Sequence, residues 1–212
     1  MSLLRNIPLP AKLIAICTLP LAAGLARLLQ IAGVETPLTA YPPVSTGLQA
    51  VFVAHIVCAF LFVGLGAFQF TTHGNPRTLG WHRAAGRFAA CAALLTGLSA
   101  IWLTFFYPHA PQDGPVLNVI RVFAASGIAT CIVMGYRAVR ARHLGHHRKW
   151  MMRAYALCVA TGVQSYVVFF WHAIGENPEG VHRAFAFGVS WLACLAFVEV
   201  QLDHKSLKRN DR

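Results

Sequence analysis

Charged residues are scarce in this chain: they make up 12% of its 212 residues, and only seven residues are acidic. In soluble domains about a quarter of the residues are usually charged, so this composition argues against a soluble enzyme and against a disordered chain. The 18 Lys and Arg residues give a formal net charge of +11, but most of them lie between long apolar runs. That placement argues against a nucleic-acid-binding module. With a mean hydropathy of +0.55, it predicts an integral membrane protein.

Motifs for several kinds of chemistry are also absent from the sequence. The six cysteines each lie in a different apolar run, which argues against a CxxC metal site and a secreted disulfide framework. The sequence contains no HExxH, GxSxG or glycine-rich phosphate-binding motif. Hydrolase and nucleotide-binding functions therefore have no support.

Six apolar segments are each close to the ~20 residues that cross a bilayer as a helix. Their ranges are roughly 12–34, 48–70, 87–107, 116–138, 150–172 and 183–203. The first resembles a signal peptide, but it lacks a small-residue cleavage site and its apolar run is long, so we interpret it as a helix. Pro20 is expected to bend this helix, because proline removes one backbone hydrogen bond. The sequence thus predicts an all-α protein with six transmembrane helices.

Lys and Arg are concentrated in two loops and in the C-terminal tail, and they are absent from the other three loops. The rich segments are 71–87 and 137–153, and the segments without Lys or Arg are 35–47, 108–115 and 173–182. Because short loops rich in Lys and Arg stay in the cytoplasm, both termini are predicted to be cytoplasmic. The chain is therefore expected in a membrane that borders the cytoplasm.

The two basic loops share a motif. Residues 77–83 read RTLGWHR and residues 142–148 read RHLGHHR, so five of seven positions are identical at an offset of 65 residues. Each copy connects a descending helix to an ascending one, which indicates a duplicated helical hairpin. The alternative is convergence, since inner loops favour Arg for topology and Gly for turning. A duplication predicts a four-helix core of helices 2–5 with a pseudo-twofold axis along the membrane normal, across which His82 and His147 face each other.

Several motifs from residue 50 onward form a recognisable set. They are His55-Ile56-Val57 with Gly64 and Phe68-Gln69-Phe70, His82-Arg83-x-x-Gly86-Arg87, the block HRKWMMRAY from His147 to Tyr155, and the segment from Trp191 to Glu199. With these motifs the chain resembles the bacterial membrane family called domain of unknown function 2306, over about residues 50–202. The resemblance implies the architecture without supplying a reaction. It points to His55, Gln69, His82, His147, Arg153 and Glu199.

The whole chain, 1–212, is therefore interpreted as one six-span membrane domain. Residues 1–47 hold the first helix and an outer loop, 48–203 form the family-like core, and 204–212 form a cytoplasmic tail. The lipid bilayer is the expected partner, and no nucleic acid is expected.

His82 and His147 are candidates for binding a b-type haem. Each stands at the predicted cytoplasmic start of an ascending helix, and each is followed by Arg. Two imidazoles at equal depth on facing helices are what axial ligation of a haem requires. The adjacent arginines could pair with the haem propionates: Arg77, Arg83, Arg142 and Arg148. The alternative is that all of these are interfacial basic residues, because they precede the apolar spans.

His55 and Gln69 lie on one helical face with Ala59, Phe62 and Gly66, at spacings of three and four residues. Such a face would suit a cavity for a quinone or another cofactor, and an ionisable group within a span is by default a functional hypothesis. The alternative is helix packing, in which the small residues admit a neighbouring helix and the polar groups hydrogen-bond to it. One haem is favoured over two, since the other outer histidines lie near the membrane edge.

The histidines of the second loop suggest a different metal site. His143, His146 and His147 resemble one histidine box of membrane di-iron hydroxylases and desaturases, or with His82 they could hold one zinc or iron. Di-iron sites need several converging boxes, and the first loop offers only His73 and His82. A metal-dependent oxygenase is therefore a weaker alternative.

Glu199 lies at about the predicted depth of Arg153 and Arg87. A carboxylate in apolar surroundings needs a partner, so we expect an ion pair with one of these arginines, Arg153 being favoured. Arg27 and Arg121 lie nearer the outer surface, where their side chains are expected to reach the headgroups with no chemical role.

The function that these residues predict is membrane electron transfer through a b-type haem, with a quinone near His55 and Gln69. The protein could also serve as a subunit of a larger redox complex. The alternative is a non-redox structural, accessory or transport protein whose buried polar groups serve packing or proton movement.

Overall fold

The computed structural model describes residues 7–34, 45–71 and 76–210. Every regular element in these residues is helical, and none is a strand. The helices are α1 Leu9–Ile16, α2 Thr18–Ile31, α3 Thr46–Gln69, α4 Leu79–Phe106, α5 Pro115–Arg140, α6 Leu144–Ala173 and α7 Gly180–Asn210, with a 3₁₀ turn at Pro76–Thr78. This confirms the predicted all-α class.

Five of these helices, α3 to α7, are long and apolar enough to cross a membrane, and the bent pair α1 and α2 makes a sixth span if it crosses as one. The predicted segments mark the apolar stretches, but the helices extend beyond them. For example, α6 begins at Leu144 rather than near 150, and α7 continues to Asn210. Hydropathy marks the lipid-facing part, whereas backbone hydrogen bonding continues through polar residues of the interface.

The bend expected at Pro20 is present. The axes of α1 and α2 differ by 59°, with the break at Cys17. The cause differs from the expected one: Pro20 occupies the first turn of α2, where its missing amide hydrogen breaks no helical bond. Its ring instead disfavours a helix continuing from the preceding turn. The hydroxyl of Thr18 donates to the carbonyl of Ala15, 2.9 Å away, and so satisfies one backbone acceptor at the end of α1.

The chain folds as two compact units, residues 1–108 and 109–212. In the first unit, α3 and α4 form an antiparallel hairpin, and α1 and α2 pack on α3. The buried face of α4 is built from small residues, mainly alanines, which let the neighbouring backbone approach closely. Gly24 of α2 serves the same purpose, since a Cβ there would lie 2.9 Å from the ring of Phe60.

The second unit is a bundle of α5, α6 and α7 in which α6 packs against both other helices. All seven residues from Ala154 to Ala160 are accordingly buried. Polar side chains also tie α6 to α7: Gln164 donates to the carbonyl of Phe187, and the indole of Trp191 donates to the carbonyl of Leu157. Hydrogen bonds of this kind stabilise helix pairs within a membrane.

The second helices of the two hairpins begin at equivalent positions. Helix α4 begins at Leu79 and α6 at Leu144, which are separated by the same 65 residues as the repeated loops. Gln69 contacts Gly86 in the first hairpin, and Gly135 contacts Met151 in the second. Moving the first contact along the chain by the repeat offset gives Met134 and Met151, one residue from the observed pair. The two contacts are thus similar but not equivalent, and the duplication, the twofold axis and the four-helix core of helices 2–5 stay predictions.

Candidate functional site

His147 is the fourth residue of α6 and is half-buried. Its Nδ1 lies 2.9 Å from the carbonyl oxygen of Gly135 on α5. A carbonyl can only accept, so Nδ1 carries the hydrogen and Nε2 of the neutral ring keeps an unprotonated lone pair. Metal-ligating histidines are commonly oriented in this way by a backbone carbonyl. The contact therefore gives His147 the tautomer that a metal ligand needs.

The turn before His147 holds Arg142 in an unusual backbone conformation. The amide of His143 donates to the carbonyl of Ala138, and the amide of Arg142 to that of Val139, which together form a Schellman cap at the end of α5. Arg142 has a φ of 60°, in the left-handed region that glycine usually fills. Holding an L-residue there costs about 1 kcal/mol or more. The turn thus keeps an arginine at a position that disfavours one.

Glycine holds the corresponding position in the other caps of this kind that the described residues contain. Gly33 follows α2 with a φ of 84°, and Gly175 follows α6 with a φ of 78°. In both caps the same two backbone hydrogen bonds form. Of these three helix caps, only the one after α5 therefore has a residue other than glycine, Arg142, in the left-handed position. Its side chain and that of Arg148 are exposed at this end of the second unit.

The first repeated loop places its residues in the same helical positions. His82 is the fourth residue of α4 and half-buried, as His147 is in α6. Arg77 in the 3₁₀ turn and Arg83 on α4 are both exposed. His82 and His147 belong to different units, so their pairing on one haem stays a prediction.

His55 and Gln69 are both directed at α4. His55 Nδ1 lies 2.9 Å from the hydroxyl oxygen of Ser99, and the Gln69 side chain lies over Gly86. Phe62, between them on the same face of α3, is buried. This face fits the packing interpretation, and a quinone cavity at this face gains no support from it.

Arg153 and Glu199 form the ion pair that the depth argument favours. Nε and NH2 of Arg153 lie 2.6 and 2.9 Å from the two carboxylate oxygens, so the pair is bidentate. The guanidinium also lies 4.8 Å from the ring centroid of Trp150, a cation–π contact. Arg87, the other candidate, is exposed. The pair links α6 to α7 within the span.

An ion cluster around Asp113 was not expected from the sequence. Asp113 has only 5% of its side chain exposed and accepts from Arg121 at 2.7 Å and from Arg183 at 2.8 Å. Arg121 also contacts Nδ1 of His109 at 3.3 Å, where the imidazole nitrogen must accept. The amide of Gly180 donates to the carbonyl of Gln112, 2.9 Å away. These contacts join the start of α5 to the start of α7.

The two outer arginines have partners within the protein that the sequence analysis did not foresee. Arg121 has a carboxylate partner, and Arg27 donates to the hydroxyl of Tyr107 at 2.9 Å instead of extending alone to the headgroups. The scarcity of acids was the available signal, because a lone Asp in a loop without Lys or Arg is a natural partner for basic residues nearby. The contact of Asp113 with Arg183 spans 70 residues and depends on tertiary folding.

The proposed histidine-box site does not form a ligand cluster. Within the ranges that the structure describes, no group of three or more His, Cys, Asp or Glu side chains is arranged to hold a metal ion. The rings of His143 and His146 are 5.9 Å apart and tilted, and only His147 makes the backbone contact described above. His73 lies outside the described residues.

A family model described as a predicted membrane protein, DUF2306, matches residues 52–202. The chain belongs to this family. No curated protein and no solved structure matches the chain. The DUF2306 match covers α4, α5 and α6 completely and includes His55, His82, His147, Arg153 and Glu199, whereas α1 and α2 lie outside it.

Proposed function

We propose that this DUF2306 protein is a membrane electron-transfer protein that binds a b-type haem, which His147 would help to hold. The observation that carries the proposal is the hydrogen bond from His147 Nδ1 to the carbonyl of Gly135, which leaves Nε2 as the ligating nitrogen. A bound haem b would supply one-electron transfer.

The chain's own residues have defined roles in this proposal. His147 would hold the iron, and the exposed Arg142 and Arg148 would pair with propionates at the same end of the second unit. His82 is proposed as the second ligand from the loop repeat, because it occupies the same helical position in α4. The proposed setting is the bacterial inner membrane, with both termini in the cytoplasm and with a quinone or a redox partner subunit as electron partner.

The decisive experiment is a visible absorption spectrum of the full chain, purified in detergent after expression with haem supplied. A dithionite-reduced b-type spectrum is expected. Replacing His147 with Ala should abolish it, whereas the matched variant His143→Ala, an exposed histidine of the same turn, should retain it.

Replacing the other histidines tests which of them would also hold the haem. Loss of the spectrum in His82→Ala supports His82 as the second ligand. Loss only in His55→Ala would move the haem to another part of the molecule and overturn the role of His147. A colourless protein that is monodisperse and cooperatively folded would reject the haem.

A non-redox function is the second candidate. It is favoured by the way polar groups within the spans are satisfied by helix-to-helix contacts, such as His55 with Ser99 and Arg153 with Glu199. Groups held in this way serve packing, and an ion pair within the span also suits proton movement. A colourless folded protein would make this function the leading one.

A further inference from the structure

Five basic side chains are exposed around the turn between α5 and α6. They are Arg137, Arg140, Arg142, Arg148 and Lys149. None of them forms an ion pair with any residue in the described part of the chain. The sequence has no acidic residue from Gly114 to Gly175, so acids nearby in sequence cannot balance this charge. Lys149 alone has a weaker charge interaction with an acid, Glu199 on α7, which is already paired with Arg153. We call these five residues the basic turn.

The basic turn is placed at the level of lipid headgroups. Helix α5 has 26 residues, which at ~1.5 Å each is about 39 Å, longer than the ~30 Å hydrocarbon core of a bilayer. Large apolar side chains flank the cations and are exposed, with Tyr136 at 61% and Leu144 at 66%. Amphipathic aromatic residues beside cations are typical of the membrane interface. The cations therefore lie at the depth of the lipid phosphates.

The conformation of Arg142 adds a second observation. Its backbone is left-handed at a cap position where Gly33 and Gly175 stand in the equivalent caps. The strained position nevertheless carries a long cation, which extends the basic turn between Arg140 and Arg148. The left-handed turn therefore carries an exposed cation, rather than a glycine, at this end of the second unit.

We propose that the basic turn binds the phosphate headgroups of anionic phospholipids. Arginine matches phosphate oxygens with paired hydrogen bonds, and exposed cations next to a membrane are attracted to an anionic leaflet. This surface lies within the second unit. Arg137, Arg140 and Lys149 have no part in the haem proposal, so the lipid site does not depend on a bound haem, although Arg142 and Arg148 are shared between the two proposals. Its position in a loop rich in Lys and Arg agrees with the predicted cytoplasmic side.

The test is a lipid titration of the full chain in a neutral detergent. Phosphatidylglycerol and phosphatidylcholine are added separately, and lipid binding is measured by native mass spectrometry together with the midpoint of thermal unfolding. We expect phosphatidylglycerol to bind more tightly and to raise the midpoint more than phosphatidylcholine. Equal binding of the two lipids would overturn the proposal.

Paired variants assign the binding to the basic turn. Each cation near a lipid surface contributes about five-fold in affinity, so Arg148→Gln with Lys149→Gln should weaken phosphatidylglycerol binding by roughly 25-fold. The matched double variant Arg83→Gln with Arg87→Gln removes two exposed cations that lie outside the basic turn, and it should weaken phosphatidylglycerol binding clearly less than the variant of the basic turn. Equal losses in the two double variants would show that general charge, not the basic turn, attracts the lipid.

Two further measurements complete the test. Arg148→Lys should keep most of the lipid preference, which separates lost charge from misfolding. Inorganic phosphate at matched ionic strength should leave the unfolding midpoint unchanged. A shift with inorganic phosphate equal to that with phosphatidylglycerol would make this a site for free phosphate and overturn the assignment to lipid.

Discussion

At the scale of single residues, the scarce acids control the arrangement of the arginines. The chain has seven acidic residues against 18 Lys and Arg. Asp113 binds two arginines and Glu199 binds one through both oxygens. If a carboxylate shared by two guanidiniums is neutralised, both guanidiniums lose the group that balances their positive charge. Its removal should therefore lower the stability of the fold considerably.

Replacing Asp113 with Asn should therefore destabilise the second unit. Arg183, with 12% of its side chain exposed, would lose its carboxylate in a poorly solvated position. Breaking a buried pair by removing one partner costs about 3–5 kcal/mol; we expect the lower end, because Arg121 is 27% exposed. Reversible denaturation in mixed micelles measures this loss, and Glu176→Gln, at an exposed acid, is the matched control. Equal stability of the two variants would contradict the structural role of Asp113.

Arg142→Gly should have the opposite effect on stability. Glycine adopts the left-handed conformation without the Cβ clash, so the variant should gain up to about 1 kcal/mol in a neutral detergent without anionic lipid. Its higher entropy in the unfolded chain offsets part of that gain. The midpoint of chemical denaturation measures the change. Arg140→Gly, at the last residue of helix α5, should instead lose stability, by less than the ~1 kcal/mol of a helix interior, so a loss of similar size in both variants would refute strain at Arg142.

At this scale the sequence predicted an ion pair where the depth of two charged residues in the membrane was enough to match them. Arg153 and Glu199 lie at similar depths on neighbouring spans, so their pairing could be predicted. Asp113 and Arg183 could not be paired in the same way, because their contact depends on how the segment before α5 meets the first turn of α7. The hydrogen bond of His147 was equally inaccessible, since it depends on the rotation of α6 against α5.

At the scale of helices, Gly135 connects packing to the candidate site. A Cβ there would lie 2.9 Å from Sδ of Met151 and 3.4 Å from Cβ of Trp150, and the carbonyl of the same residue accepts from His147. The hairpin register is thus maintained by a glycine at the point where the imidazole is oriented. The alternation of apolar segments and basic loops predicted the hairpin, but which small residue admits the neighbouring helix depends on side-chain packing.

Gly135→Ala should consequently disturb both the hairpin and His147. Overpacking costs about 1–3 kcal/mol, and under the haem proposal the reduced spectrum should weaken together with stability. Gly127→Ala is the matched control on the same helix, because its Cβ would meet only the terminal Cδ1 of Leu157, at 3.2 Å. Stability in mixed micelles and the visible spectrum are measured for both variants. An unaltered Gly135→Ala protein would contradict the close approach of α5 and α6.

At the scale of the whole molecule, the number of spans depends on the bent pair α1 and α2. Their 8 and 14 residues are about 12 and 21 Å long, and with the 59° bend they extend roughly 27 Å along the axis of α2. That length is close to the ~30 Å hydrocarbon core, so the pair can cross the membrane as one broken span. Hydropathy predicted the length of the apolar segment, and Pro20 predicted the bend. The sequence could not show whether the bent pair crosses the membrane or turns back, because both arrangements have the same amino-acid composition.

The location of the N-terminus decides between a crossing and a re-entrant pair. Lys12 at the start of the first span and the basic loops favour a cytoplasmic N-terminus and a cytoplasmic C-terminus, which requires six spans. A fluorescent reporter that matures only in the cytoplasm should therefore be bright when fused before Met1 and also when fused after Arg212. A dark N-terminal fusion with a bright C-terminal one, both expressed at equal levels, would reduce the count to five spans and make α1 and α2 a re-entrant pair. A dark C-terminal fusion would contradict the loop-charge assignment itself and place the basic turn on the opposite side of the membrane from the one proposed here.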